Sequence, residues 1–150
     1  MKEIEYKYLV NKKLWNTIKK PKPDFITQGY ISKNKDCTSR IRINNNRAFI
    51  TIKGKNKGIV RQEFQYEIPL NEANVILKEL IDKKIKKHRY KIEFSNRIWE
   101  VDEFQGKLEG LIIAELEVNS EEEKFELPFW VTKDVSLDPN YYNSVLIDKA

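Results

Sequence analysis

Residues 3–10 read Glu3-Ile4-Glu5-Tyr6-Lys7-Tyr8-Leu9-Val10, and the alternation in that stretch decides the fold. Successive side chains of a strand point to opposite faces. Glu3, Glu5 and Lys7 therefore share one face, and Ile4, Tyr6, Tyr8 and Val10 share the other. The same parity recurs along the chain. Arg40 and Arg42 oppose Ile41 and Ile43, and Thr51 and Lys53 oppose Ile50 and Ile52. Arg61, Glu63, Gln65 and Glu67 oppose Phe64, Tyr66 and Ile68. Lys87, Arg89, Lys91 and Glu93 oppose Tyr90, Ile92 and Phe94, and Glu100 and Asp102 oppose Trp99 and Val101. Glu115 and Glu117 oppose Ala114, Leu116 and Val118.

The plain reading of one wet and one dry face is an antiparallel sheet lying open to water on one side. Exposed strands, however, use Thr and other uncharged polar residues freely, whereas these faces are mainly ionised. A further strand is expected over Thr27–Ser32, which makes eight, and eight strands in meander order tend to close into a barrel without exposed edges. The expected fold is therefore α+β and mainly β: a closed eight-stranded antiparallel β-barrel, charged inside, with short helices packed against its apolar outside. Asn44-Asn45-Asn46, the Gly54 to Gly58 segment and Ser95-Asn96 are the turn signals between strands. Helices are expected at Leu14 to Ile18, from an Asn71 cap to Asp82, at the Ser120/Glu123 capping box, and after Asp138-Pro139.

Composition bounds the rest. The 150 residues suit one domain, 1–150, large enough to fold without a metal or disulfide staple. The single Cys37 excludes a disulfide framework and a cysteine zinc site. No apolar run reaches membrane-span length, about 18 residues, and the first residues lack a secretory hydrophobic region. The expectation is a cytoplasmic domain with no membrane partner; a homodimer stays open. The net charge of +5 suggests an anionic partner without naming one. Parity turns His88 outward, away from the charged faces, and the lysine runs around Lys12 and Lys83 read as solvated surface.

Enclosed charges need partners. The inward faces supply the cations Lys7, Arg40, Arg42, Lys53, Arg61, Lys87 and Arg89. They also supply the carboxylates Glu3, Glu5, Glu63, Glu67, Glu100, Asp102, Glu115 and Glu117. Paired carboxylates suit a hard divalent cation such as Mg²⁺ or Mn²⁺. Converging Arg and Lys suit a polyphosphate. A metal–polyphosphate complex satisfies both sets together.

These residues resemble the CYTH superfamily of triphosphate tunnel metalloenzymes. The opening Glu3-Ile4-Glu5-Tyr6-Lys7 matches that family's E-x-E-x-K element. Gln28-Gly29-Tyr30, Arg40-Ile41-Arg42, Thr51-Ile52-Lys53-Gly54, Arg61-Gln62-Glu63, Lys87-His88-Arg89-Tyr90, Trp99 to Phe104 and Glu115-Leu116-Glu117 follow in the family's order. Val135-Ser136-Leu137-Asp138, with Tyr141 and Asn143, resembles its ending. The resemblance implies a tunnel that hydrolyses a triphosphate, foremost inorganic tripolyphosphate, with divalent metal. By the same resemblance Glu3, Glu5, Glu115 and Glu117 are metal ligands. Lys7, Arg40, Arg42, Lys53, Arg61, Lys87 and Arg89 bind the substrate, and Glu63, Lys7, Lys87 and Tyr30 carry the catalytic roles. Gln65 stands where many members carry a carboxylate, and Ser136 where Thr is frequent. Thiamine or nucleoside triphosphate hydrolysis and class IV adenylate cyclase activity are the alternatives, although the cyclase His-Phe motif is absent. A non-enzymatic polyphosphate- or nucleic-acid-binding module ranks third, because base stacking needs aromatics among the cations and here the two lie on opposite faces.

Overall fold

The computed structural model describes residues 1–150. Its strands are β1 (Lys2–Val10), β2 (Asp24–Asn34), β3 (Cys37–Asn44), β4 (Arg47–Gly54), β5 (Val60–Ile68), β6 (Ile85–Phe94), β7 (Arg97–Phe104), β8 (Ile112–Glu117) and β9 (Val131–Asp134). Helices are few and short: α1 (Lys12–Trp15), α2 (Leu70–Val75), continued by a π-turn over Ile76–Leu80, and α3 (Asn143–Leu146). No helix is long and apolar enough to cross a membrane.

Neighbouring strands run β5-β4-β3-β2-β6-β7-β8-β1, and β5 also pairs with β1. That last pairing, Lys2 with Gln62, Glu3 with Arg61 and Ile4 with Val60, closes the eight-stranded antiparallel barrel. The order departs from the single meander read from the sequence. Two meanders, β2–β5 and β6–β8, meet where β2 pairs with β6, and β1 fills the gap between β8 and β5. The cause is the α2 crossover. Its Ala73 and Leu77, with Ile81 just beyond, bury themselves against Ile41 and Ala48, so the chain passes over the outside of β3 and β4 before entering β6. β9 lies outside the ring, pairing with β1 at Tyr8 and Val10; its Val-Thr-Lys-Asp sequence gave no strand expectation.

The apolar faces do point outward. The largest cluster joins Tyr8, Trp15, Trp99, Val101, Leu116 and Trp130 under α1 and the 119–131 segment. A second lies beneath α2. The third joins Ile85, Phe104 and Ile113 to Leu146 and Ile147 of the C-terminal helical turns. The hydrophobic core is thus three patches around the barrel, and its centre is left to polar groups. Ile52, Phe64 and Tyr66 on the outside of β4 and β5 stay exposed.

Local chemistry explains where helix expectations shift. Asn11 caps α1, its side-chain oxygen accepting from the Leu14 N–H at 3.1 Å. Asn71 does not cap α2, which starts two residues earlier than that cap implies, at Leu70, with Pro69 in the cap position and no side-chain cap. Pro69 has no N–H and a fixed φ, so it sets the entry angle by itself. Ser120 to Glu123 is a turn rather than a helix. There the Glu123 carboxylate accepts from the Asn119 N–H at 3.0 Å and pairs with Arg97 across to β7. Asp138 does cap, accepting from the Asn140 N–H at 3.0 Å, but it opens a single 3₁₀ turn ahead of α3. Ser95 and Asn96 both take positive φ, 51° and 61°, in the two-residue turn from β6 to β7, as a right-twisted hairpin requires.

Candidate active site

Alternation places the charged faces inside. On the strand ladder Glu5 stands opposite Glu117, Lys7 opposite Glu115, and Glu100 opposite Glu115. Together with Glu3 opposite Arg61, these pairings gather the acidic groups around β1 and β8. The lumen is a cavity of about 370 Å³ lined by 25 residues, of which 4 are hydrophobic. Glu3, Glu5, Glu63, Glu115 and Glu117 line it, as do Lys7, Arg40, Arg42, Lys53, Arg61, Arg89 and Tyr30.

The carboxylates fall into two sets of environments. Burial alone would raise Glu3, but the Lys53 ammonium, 2.8 Å away, outweighs it and holds the carboxyl low. Lys53 also reaches Glu63 at 3.3 Å, yet burial and the nearby Glu3 leave Glu63 raised. Glu115 is held well below the usual carboxylate range, since Lys7 and Arg89 outweigh the cost of its burial. Their nitrogens lie 3.5 and 3.0 Å from its oxygens. Glu5 has no such counterion. Burial, then the charges of Glu115 and Glu3, push it well up. Glu117 is raised in the same way by burial and by Glu3, Glu63 and Glu100.

No three acidic side chains converge into a ready-made ion cage. The donor set nonetheless fits a hard divalent cation. All its members are oxygens, and the mutual repulsion that raises Glu5 beside Glu115 and Glu3 is what a bound cation would relieve.

The same lumen is crowded with positive charge. Burial, Arg40 and Arg89 bring Arg42 down to about 9. Arg40 donates to the Thr51 hydroxyl at 3.1 Å, but its buried Nε has no acceptor at all. Arg61 donates to the Gly54 carbonyl at 3.2 Å and to the Thr38 hydroxyl at 3.4 Å. Arg89 is anchored by two bonds to Asp102, 2.7 and 2.8 Å long. An unmet guanidinium donor among mutually repelling cations is a seat for a multivalent anion.

Three expected lumen groups stand elsewhere. Lys87 lies behind the wall, fully buried, with its ammonium 2.8 Å from Asp102 and donating to Asn143 Oδ1 at 3.1 Å. Burial, with help from Arg89 and Arg42, lowers it to about 7 despite Asp102. Asp102 shares that interior position and is held at about 2 by Arg89 and Lys87 against its burial. Glu67 lies beyond the barrel mouth, paired with the exposed Arg47 at 2.7 Å. Parity assigns a face but not a depth, and the lumen closes toward the end filled by the C-terminal segment. Gln65 does line the cavity, where it accepts from Thr51 Oγ1 at 3.0 Å.

Glu100, Tyr142 and Asn143 also line the lumen. Parity had put Glu100 inward without a role. Tyr142 and Asn143 arrive from a remote segment that no strand pattern announces. That segment is tied down by Lys7, whose ammonium donates to the Tyr141 carbonyl at 3.1 Å.

The chain matches the model of the CYTH domain over residues 1–144. It belongs to the CYTH domain family. Among relatives, this CYTH chain is 44% identical over 147 residues to a protein of Acetivibrio thermocellus named inorganic triphosphatase. That alignment covers 97% of this chain and 93% of the relative. It is 28% identical to an inorganic triphosphatase of Nitrosomonas europaea, over 81% of this chain and 82% of that one. A crystal structure of an inorganic triphosphatase superposes on the CYTH barrel with a TM-score of 0.68 at 26% identity, covering 97% and 93% of the two chains.

Proposed function

We propose that this CYTH protein hydrolyses inorganic triphosphate to pyrophosphate and phosphate, using Mg²⁺ or Mn²⁺. The observation that carries the reading is the lumen itself: a cavity of about 370 Å³ in which only 4 of 25 lining residues are hydrophobic. Such a wall offers phosphates many partners and a nucleobase or thiazole ring almost no apolar surface. The names of the two relatives point the same way.

Glu3, Glu5, Glu115 and Glu117 would hold the cation. Bound there, it supplies charge neutralisation on phosphate oxygens and a more acidic water. The remaining roles belong to the chain. Lys7, Lys53, Arg40, Arg42, Arg61 and Arg89 bind the phosphates and stabilise charge on the leaving pyrophosphate. Glu63, kept basic enough by burial and by Glu3, orients the attacking water and takes its proton. The water oxygen bonds to a terminal phosphorus as the bond to the bridging oxygen breaks, in line. Tyr30 hydrogen-bonds the substrate, and Lys87 acts through charge from behind the wall.

Phosphate release from tripolyphosphate in Mg²⁺ or Mn²⁺ tests the reading, beside a panel of thiamine triphosphate and ATP. Glu5→Gln should fold normally and lose at least about 100-fold in kcat, as expected when a group that carries transition-state charge is lost. EDTA should abolish turnover. Full activity of that variant, or activity surviving EDTA, overturns the proposal; faster use of ATP or thiamine triphosphate reassigns the substrate.

A further inference from the structure

Hydrogen-bond logic fixes the orientation of two side-chain amides next to the lumen. Arg42 Nε can only donate, so the Gln28 atom 2.8 Å from it is the oxygen. Gln28, wholly buried, must then offer its NH₂ on the other side, where it donates to Asn143 at 3.3 Å. The receiving atom of Asn143 is therefore Oδ1. Lys87 makes the same demand independently, because its ammonium can only donate and meets that oxygen at 3.1 Å. Two donors thus lock one carbonyl. The Asn143 NH₂ is left facing away from both, it makes no hydrogen bond to the protein, and the residue lines the lumen.

We propose that Asn143 is a substrate-binding residue of the lumen, donating its Nδ2–H to a phosphoryl oxygen of the bound triphosphate. The inference rests on the triphosphatase reading and sharpens it. A neutral donor suits this position. Lys87 behind the wall and Arg42 and Arg89 on it already repel one another, so an additional cation would add to that repulsion, whereas an amide adds a directed bond without charge. Because Asn143 opens α3, the last turns of the chain contribute a contact to a site otherwise built by strands.

Asn143→Asp isolates the donor. The aspartate has nearly the same shape and still accepts from Gln28 and Lys87, but it presents oxygen where the NH₂ stood. If Asn143 serves only the structure, this variant keeps the wild-type melting temperature, and any loss of affinity is charge repulsion that high salt removes. The expected result is an unchanged melting temperature with tripolyphosphate binding weakened at least about tenfold, the scale of a lost hydrogen bond to a charged group. Calorimetry with tripolyphosphate in EDTA reads the affinity, and KM in Mg²⁺ should rise more than kcat falls. The binding loss should persist in about 1 M KCl, where the Debye length is about 3 Å and remote repulsion is screened. Asn143→Leu, which adds no charge, should show the same weakening.

Wild-type affinity in Asn143→Asp, or a loss that disappears in high salt, overturns the inference alone. A wild-type protein that neither binds nor hydrolyses tripolyphosphate overturns the functional reading and this inference with it.

Discussion

Lys87 shows how one side chain can couple stability to pH. Its folded value of about 7 lies below the roughly 10.4 of an unfolded lysine. Between those values the unfolded chain binds more protons than the folded one. Stability contributed through Lys87 therefore rises as pH rises from 7 toward 10. We expect denaturation in EDTA to show a stability gap between wild type and Lys87→Met that shifts in favour of wild type by up to about 1.4 kcal/mol per pH unit between pH 7 and 9. A gap that stays flat across that window would mean Lys87 remains fully charged inside the protein. Asp102 works in the opposite part of the scale. Its value of about 2 makes it a stabilising group above about pH 4 that is lost as pH falls through 2.

Among the elements, β2 is met closely by the crossover that follows α2. A Cβ built on Gly29 would lie 2.6 Å from Ile81 Cγ2 and 3.2 Å from the Lys83 carbonyl. One of those neighbours is backbone, so the crossover itself must move. Gly29→Ala should destabilise by about 1–3 kcal/mol, the usual cost of overpacking, and chemical denaturation will measure it. An unchanged midpoint would show that the crossover yields freely. The elements also separate what could be read in the sequence from what could not. Strand parity is a two-residue signal, so Glu3, Glu5, Arg40, Arg42 and Glu115 could be assigned to one interior from local sequence. β9 was hidden because Val131–Asp134 has no alternation and depends on β1 for its pairing. The depth of Lys87 and the arrival of Asn143 depend on where the C-terminal segment docks, which is set by contacts more than 50 residues apart, such as Asn143 with Lys87 at a separation of 56.

For the whole molecule, the net charge of +5 conceals an interior in which acidic and basic groups interleave, Lys7 and Arg89 against Glu115 and Lys53 against Glu3. Filling that interior with an anion should relieve the crowding of Arg40, Arg42 and Arg89. At tripolyphosphate about 100-fold above its Kd, binding adds about 2.7 kcal/mol of stability. For a domain of this size that should raise Tm by roughly 5–10 °C, even in EDTA. Differential scanning calorimetry checks this, and a Tm unmoved by tripolyphosphate would show that the lumen does not take up the anion. Closure of the barrel also restricts how such a chain can change over time. Deleting a single residue within β8 would turn Glu115 and Glu117 toward the oily exterior and swing Leu116 into the lumen, and the same holds for every other strand. Length changes can therefore accumulate in the connections, such as Asn44–Asn46, Ser95-Asn96 and residues 119–130, but hardly within the strands. The spacing of E-x-E and R-x-R is preserved by geometry before any selection on chemistry begins.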